Sequence, residues 1–261
     1  MMQDTLPLGN IPYGLPEYVS PSSIGTFQQC PLKFKFYKLD KLPSVSTEAQ
    51  VVGSFVHEIL ENLFKFDHAE RTISNARALA RHLWHEKWSD EFKSLTVKSV
   101  ENDFRWKVWW CVEHYFELED PSKVTLVGVE HPVRGTINDV PVFGIVDRWH
   151  LENDRLVISD YKTGNKPSST YEWEKKMQIS IYAMLLKDET GKELERSELF
   201  YLKSPKIVSY KLTDDIVEKV TDQVTETWAS IKSACATGEF EAKPSRLCDW
   251  CDYKKICPVW N

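Results

Sequence analysis

Two aspartates and a lysine are the residues of this sequence whose types and spacing first suggest chemistry. Asp160-Tyr161-Lys162 follows the apolar run Leu156-Val157-Ile158, and Asp147 closes Gly144-Ile145-Val146-Asp147. If Asn153-Asp154 is a two-residue turn, Glu152 pairs with Arg155, and stepping back along both strands brings Asp147 opposite Asp160; a symmetric four-residue loop gives the same pairing. Opposed carboxylates repel unless a cation sits between them, and a divalent metal removes the conflict. Period-two geometry puts Lys162 on the face of Asp160, where an ammonium can meet a nucleophile or phosphate held by that metal. Other acid-x-Lys tripeptides, Asp252-Tyr253-Lys254, Glu91-Phe92-Lys93 and Glu241-Ala242-Lys243, follow no apolar strand and face no cross-strand Asp. A surface hairpin with solvated charges is the alternative.

Cysteine is the second chemical signal. The chain has six, of which Cys248, Cys251 and Cys257 form a C-x2-C-x5-C cluster before Pro258, while Cys30 stands far upstream before Pro31. A reducing compartment disfavours structural disulfides, and three thiolates need a fourth ligand to close a tetrahedral zinc site or a cubane iron cluster. Cys30 is the best fourth candidate, because Lys33, Phe34, Lys35 and Phe36 beside it match the basic and aromatic company of the trio: Trp250, Tyr253, Lys254 and Lys255. Buried apolar thiols in a C-terminal helix are the competing reading, and Cys111 and Cys235 sit inside helical patterns.

The elements that must position these residues follow from periodicity. Residues 1–20, with Pro7, Pro12 and Pro16, read as an irregular arm, and Ser20-Pro21-Ser22-Ser23 caps a short helix carrying Ile24 and Phe27. Val56, Ile59, Leu60, Leu63 and Phe64 mark an amphipathic helix over Gly53 to Phe66, and helices are predicted over 74–93 and 99–118. The second holds Phe104, Trp106, Trp109, Trp110, Tyr115 and Phe116; helical spacing makes most of these rings core, with stacking on unpaired bases as the alternative. After Pro121 the pattern changes to short runs, Val124 to Val133, Val142 to Leu151, Arg155 to Tyr161, Leu199 to Leu202 and Ile207 to Leu212, which read as one sheet. Helices over Tyr171 to Leu186 and Asp214 to Thr237 interrupt and follow it. The expectation is one α/β domain over 21–261: mainly helical at 21–120 with Cys30 and His57, sheet and helix at 121–213, then a helix and the Cys trio at 214–261.

Composition narrows the class. With 261 residues, 42% hydrophobic and 12% aromatic, the chain has ample apolar area for a core, which excludes general disorder. No apolar run reaches the ~18 residues of a membrane span. The start, Met1-Met2-Gln3-Asp4-Thr5-Leu6-Pro7, lacks the regions of a signal peptide, so a cytoplasmic location is expected. A net charge of −6 argues against a surface coated in base for gripping duplex DNA but leaves room for local basic channels.

His57 borders the apolar stripe in Gly53-Ser54-Phe55-Val56-His57-Glu58-Ile59-Leu60-Glu61, where an imidazole can add a third metal ligand, although a lone helical His is more often structural. Taken with the Asp147 and Asp160-Tyr161-Lys162-Thr163-Gly164 segments and with Gln178-Ile179-Ser180-Ile181-Tyr182, it completes an ordered series over most of the chain. That series resembles the motifs of RecB-family nucleases in the PD-(D/E)XK superfamily. Cys30-Pro31 with the C-terminal trio further resembles its iron–sulfur branch, shared by AddB-type nuclease domains and CRISPR-associated adaptation nucleases.

The resemblance implies a restriction-endonuclease-like mixed sheet flanked by helices, with the C-terminal Cys cluster closing on the N-terminal region. It implies Mg²⁺ or Mn²⁺ bound by His57, Asp147, Asp160 and the Tyr161 carbonyl, Lys162 at the attacking water, and Gln178 and Tyr182 orienting the site or touching DNA. Glu130 is a further acidic candidate, though a surface-strand Glu is the plainer reading. Cys30, Cys248, Cys251 and Cys257 would clamp a [4Fe-4S] cluster, with structural Zn²⁺ as the alternative. The implied activity is a metal-dependent deoxyribonuclease, an exonuclease on single-stranded or frayed ends, in recombination, repair, phage replication or CRISPR adaptation in a bacterial, archaeal or phage-infected cell. No Walker A loop occurs, so unwinding would come from a helicase partner, and a CRISPR integration partner is a further expectation. Lys33, Lys35, Lys38, Arg246, Lys254, Lys255, Lys166, Lys175 and Lys176 could line a DNA path, although scattered Lys are usually just solvated. The competing functional class is a DNA-end-binding module, silent or partner-dependent, with a metal–Cys staple.

Overall fold

The computed structural model of the chain describes residues 12–95, 99–165 and 169–260. In chain order the helices are α1 (Pro21–Gln29), α2 (Pro31–Phe34), α3 (Glu48–Phe64), α4 (Ile73–Leu83), α5 (Ser89–Lys93), α6 (Glu101–Leu118), α7 (Ser169–Thr190) and α8 (Asp214–Thr237). The strands are β1 (Leu126–Ile137), β2 (Val140–Glu152), β3 (Arg155–Lys162), β4 (Leu194–Tyr201) and β5 (Lys206–Tyr210), in the spatial order β1-β2-β3-β4-β5. β2 and β3 are antiparallel, β3 and β4 are parallel across the α7 crossover, and β4 and β5 are antiparallel. The sheet is therefore mixed and flanked by helices, as the resemblance implies. No helix among the described residues is long and apolar enough to cross a membrane.

The chain divides into two compact units, one of Val45–Gly135 and Gly144–Glu218, the other of residues 12–44, the hairpin tip Thr136–Phe143 and residues 219–260. In the larger unit, Thr47 opens α3 with a reciprocal capping box: its hydroxyl accepts from Gln50 N–H at 3.3 Å, and Gln50 Oε1 accepts from Thr47 N–H at 2.8 Å. Val52, Phe55, Val56, Ile59, Leu60 and Leu63 then bury one face of α3 against α4 and α6, in a core that includes Phe104, Tyr115, Tyr161 and Phe200. Residues Leu156 to Asp160 of β3 are all buried. Such a run fits a central strand covered on both faces.

Beneath that strand lies a charged network. Arg148 on β2 is fully buried; its guanidinium donates to Ser159 Oγ at 2.8 Å, Tyr115 Oη at 3.2 Å and both carboxylate oxygens of Glu119 at the end of α6. Tyr115 in turn donates to Glu119 at 2.7 Å.

In the smaller unit, Ser20 and Ser23 cap α1 reciprocally, and Ile24 and Phe27 are buried. The two ends of the chain are laced together: Gln28 Nε2 donates to Thr227 Oγ1 at 2.9 Å, Leu32 N–H to the Glu241 carbonyl at 3.2 Å, and Tyr253 Oη to the Leu42 carbonyl at 3.1 Å. The C-terminal cysteine region thus closes on the N-terminal one.

Several boundaries differ from those the sequence suggests, three of them with a physical reason in view. β4 starts at Leu194 rather than Leu199, because Glu195, Arg196 and Glu198 read as a solvated stretch. Arg196 in fact donates to both oxygens of Glu152, at 2.6 and 2.7 Å, and to Glu198 at 2.7 Å, so charge on the strand is neutralised within the sheet. The helix predicted over 74–93 is broken by a π turn at Trp84–Trp88, which buries both of those rings. β1 runs on to Ile137, where Asn138 and Asp139 at φ 48° and 61° turn the chain into β2.

Candidate active site

The β2–β3 hairpin has the register that its turn residues suggest. Asn153 and Asp154 adopt φ 49° and 64°, and the ladder runs from Glu152 opposite Arg155 to Arg148 opposite Ser159, with Asp147 and Asp160 next beyond it. Asp147 Oδ2 accepts the Tyr161 backbone N–H at 2.7 Å and lies 3.5 Å from His57 Nδ1. The opposite ring nitrogen, His57 Nε2, donates to the Tyr161 carbonyl at 3.0 Å, which fixes the ring and leaves Nδ1 facing the carboxylates. The Tyr161 carbonyl, expected to face a metal, is thus engaged by His57.

Glu130 faces the same cluster. A surface-strand residue on the plainer sequence reading, it places Oε1 3.8 Å from His57 Nδ1. Its backbone sits at φ 43°, a left-handed conformation that costs a non-glycine residue about 1–2 kcal/mol. Nothing in the spacing of β1 signals that twist, so the sequence shows a strand glutamate and hides its aim. His57, Glu130 and Asp147 each offer one ligand atom, all within 4.8 Å of one another.

Asp160 is 1% exposed, with Oδ2 at 2.5 Å from Lys162 Nζ as an ion pair and no hydrogen-bond donor aligned on it. Lys162 Nζ donates to Gln178 Oε1 at 3.0 Å, and Gln178 Nε2 donates to Tyr182 Oη at 3.0 Å. Gln178 and Tyr182 stand one turn apart on α7, so the helix holds the lysine from above the sheet. Gly144 makes room for this arrangement, because a Cβ there would lie 2.4 Å from the Tyr182 ring.

The electrostatics are those of a site short of positive charge. Burial alone lowers the His57 pKa, but Asp147, Glu130 and Asp160 more than reverse this and push it up to about 9. Asp147 is raised to about 7 by burial, with repulsion from Asp160 adding to it and His57 and Lys162 opposing. Burial likewise lowers Lys175, helped by Lys162. Beside this cluster opens a groove of about 660 Å³ whose border includes Glu58, Glu61, Glu130 and Lys87. Oxygen donors with one imidazole suit Mg²⁺ or Mn²⁺. A tight acid–imidazole trio of His57, Glu130 and Asp147 beside a buried Asp160 fits such an ion.

In the smaller unit, Cys30, Cys248, Cys251 and Cys257 line one cavity together with Lys33, Lys243 and Lys254. All four cysteines are half-buried, and Ser245 N–H donates to Cys248 Sγ at 3.3 Å. Four sulfur donors lining one cavity, with basic side chains around it to offset ligand charge, are a donor set whose chemistry fits a metal or iron–sulfur group. Cys111 and Cys235 are instead buried core thiols, Cys111 being raised to about 11 by burial. The expected DNA-path lysines are scattered: Lys35 pairs with Asp40 at 2.6 Å, Lys38 covers the Tyr18 ring, and Lys176 covers Tyr210. Arg246 and Lys255 are exposed, and Lys166 lies outside the described residues.

The comparison that decides the family is with its sequence model: the PD-(D/E)XK nuclease superfamily matches residues 18–258. The chain belongs to this superfamily. Two phage proteins are similar to it over nearly their whole length, the gene 69 proteins of Mycobacterium phages L5 and D29. Each is 20% identical over 93% of this chain, covering 96% and 97% of the phage proteins respectively. A candidate exonuclease from Eubacterium rectale shares the fold of this PD-(D/E)XK chain, with a TM-score of 0.60 and 16% identity over 92% of this chain and 89% of that one.

Proposed function

We propose that this PD-(D/E)XK nuclease is a divalent-metal-dependent deoxyribonuclease of the RecB iron–sulfur branch, acting as an exonuclease on single-stranded or frayed DNA ends. The observation that carries the reading is the convergence of His57, Glu130 and Asp147 beside the buried Asp160–Lys162 pair. His57, Asp147, Asp160 and Glu130 would hold Mg²⁺ or Mn²⁺, with the Tyr161 carbonyl at the edge of the set. Such an ion, when bound, lowers the pKa of water and neutralises charge on a phosphodiester. Lys162, fixed between Asp160 and Gln178, places an ammonium where it orients the attacking water and offsets charge on the non-bridging oxygens. Tyr182 locks Gln178, and Gln178 keeps Lys162 from swinging into solvent. Cys30, Cys248, Cys251 and Cys257 would hold a [4Fe-4S] cluster that staples the chain ends, with Zn²⁺ as the other group their chemistry accepts. End processing of this kind serves recombination, repair, phage replication or CRISPR adaptation, beside a helicase or integration partner.

The test is cleavage of end-labelled single-stranded and duplex DNA with Mn²⁺ or Mg²⁺, set against Asp160→Ala and a chelator. Degradation that disappears in both controls supports the reading, and the label pattern gives polarity. Intact DNA with cluster-loaded protein on every substrate overturns it.

A further inference from the structure

The rings of α6 do not all go where helical spacing sends them. Phe104 and Tyr115 are buried, but Trp106 is 62% and Trp110 55% exposed, against the core reading of the sequence. Trp106 stands on one wall of a cleft of about 420 Å³ between α4 and α6, with Arg77 and Arg81 on the α4 side and Arg105 and Trp109 on the α6 side. No carboxylate lines this cleft among the described residues. The Arg77 guanidinium lies 4.5 Å over Trp109 and that of Arg105 5.2 Å over Trp84, so cationic planes are already stacked on indole faces. Glu113 and Glu101 approach Arg77 and Arg105 only at 3.6 and 3.5 Å, in exposed pairs of little energetic weight.

In a chain of net charge −6, a cleft walled by arginine and by the open indole of Trp106 suits a flat-faced polyanion. The groove beside His57 is bordered by Glu58, Glu61 and Glu130 against one lysine, Lys87, which pairs with Glu58 at 2.9 Å, so the groove itself offers little grip on a polyanion. α3 separates the two places: Phe55 lines the cleft, and His57 lines the groove. We propose that the α4–α6 cleft binds the unpaired end of the DNA substrate, a base stacking on Trp106 and phosphates meeting Arg77, Arg81 and Arg105. The inference rests on the nuclease reading for its choice of DNA. It requires a single strand, because bases inside a duplex have no free face for an indole.

The experiment titrates the full chain carrying Asp160→Asn, in chelator, into labelled oligo(dT) of about 15 nucleotides, a length that spans one such site, and into a blunt duplex, reading fluorescence anisotropy. Trp106→Ala should weaken oligo(dT) binding by about tenfold, with Trp106→Phe restoring most of it and duplex binding unmoved. Arg81→Ala should reduce the slope of log affinity against log salt by about 0.7. Trp106 is exposed, so its variants should keep the parental melting temperature. Unchanged oligo(dT) binding in Trp106→Ala, an equal loss on duplex, or a preference for oligo(rU) overturns the proposal. Trp106-dependent binding in a chain whose unmutated form cleaves nothing keeps the cleft and removes the nuclease reading; cleavage with Trp106-independent binding does the reverse.

Discussion

At the scale of single residues, the site depends on carboxylates that cannot share one small volume without added positive charge. Asp147 is raised to about 7 because burial and Asp160 both disfavour its ionised form. Protons and a divalent ion therefore compete for the same ligand atoms, and because His57 is pushed up to about 9 as well, metal affinity should fall steadily as pH drops from about 9, which isothermal titration with Mn²⁺ at several pH values would read directly. Glu130 gives a sharper test. Glu130→Gln keeps the shape and removes the charge beside His57, so the Mn²⁺ concentration for half-maximal cleavage should rise about tenfold while Asp160→Ala abolishes cleavage. An unchanged metal requirement in Glu130→Gln would leave Glu130 as a strained bystander. The Asp147, Asp160 and Lys162 constellation was legible in sequence because a two-residue turn fixes register, and register fixes which side chains face each other. Glu130 was not, because its aim comes from a backbone twist at φ 43° that no neighbouring residue announces.

At the scale of elements, α7 and the hairpin hold each other through one close approach. Gly144→Ala would drive a methyl into the Tyr182 ring and push α7 away from β2, so Lys162 would lose its Gln178 anchor. Cleavage should drop by more than tenfold with only a few degrees lost in melting temperature, measured by differential scanning fluorimetry on the same sample. The Glu152–Arg196 pair acts on stability instead. The Arg196 hydrogen bonds lower the Glu152 pKa from 4.5 to about 2. Its contribution is therefore full above pH 4.5 and disappears as pH falls towards 2. Glu152→Gln should melt below the parent at pH 7, and the gap should close as the buffer is acidified. This pair also explains the late start expected for β4: patterns of alternation read charge as solvent exposure, and a strand whose charges are paired across the sheet defeats them. The extents of α3 and α6 were legible to within two residues at their C-terminal ends, but which rings of α6 face the core was not, since nine aromatic or aliphatic side chains spread around that helix give no single direction.

At the scale of the whole molecule, the cysteines test whether the chain ends are joined by a metal group. Protein purified without oxygen should be brown with broad visible absorbance, and Cys30→Ser should remove the colour and lower the melting temperature. A colourless chain carrying one zinc would assign the staple to Zn²⁺. The buried Arg148–Glu119 network has a consequence of a different order, for lineages rather than for one molecule. Removing Glu119 alone strands the fully buried Arg148 guanidinium in the core, at about 3–5 kcal/mol out of a total stability of about 5–15 kcal/mol, whereas removing Arg148 leaves Glu119 with a fifth of its side chain already open to water. Replacing both together with apolar side chains of similar volume is close to neutral. The cost is therefore one-sided in descent: chains related to this one that have lost the glutamate should have lost the arginine as well, while loss of the arginine alone is the easier step.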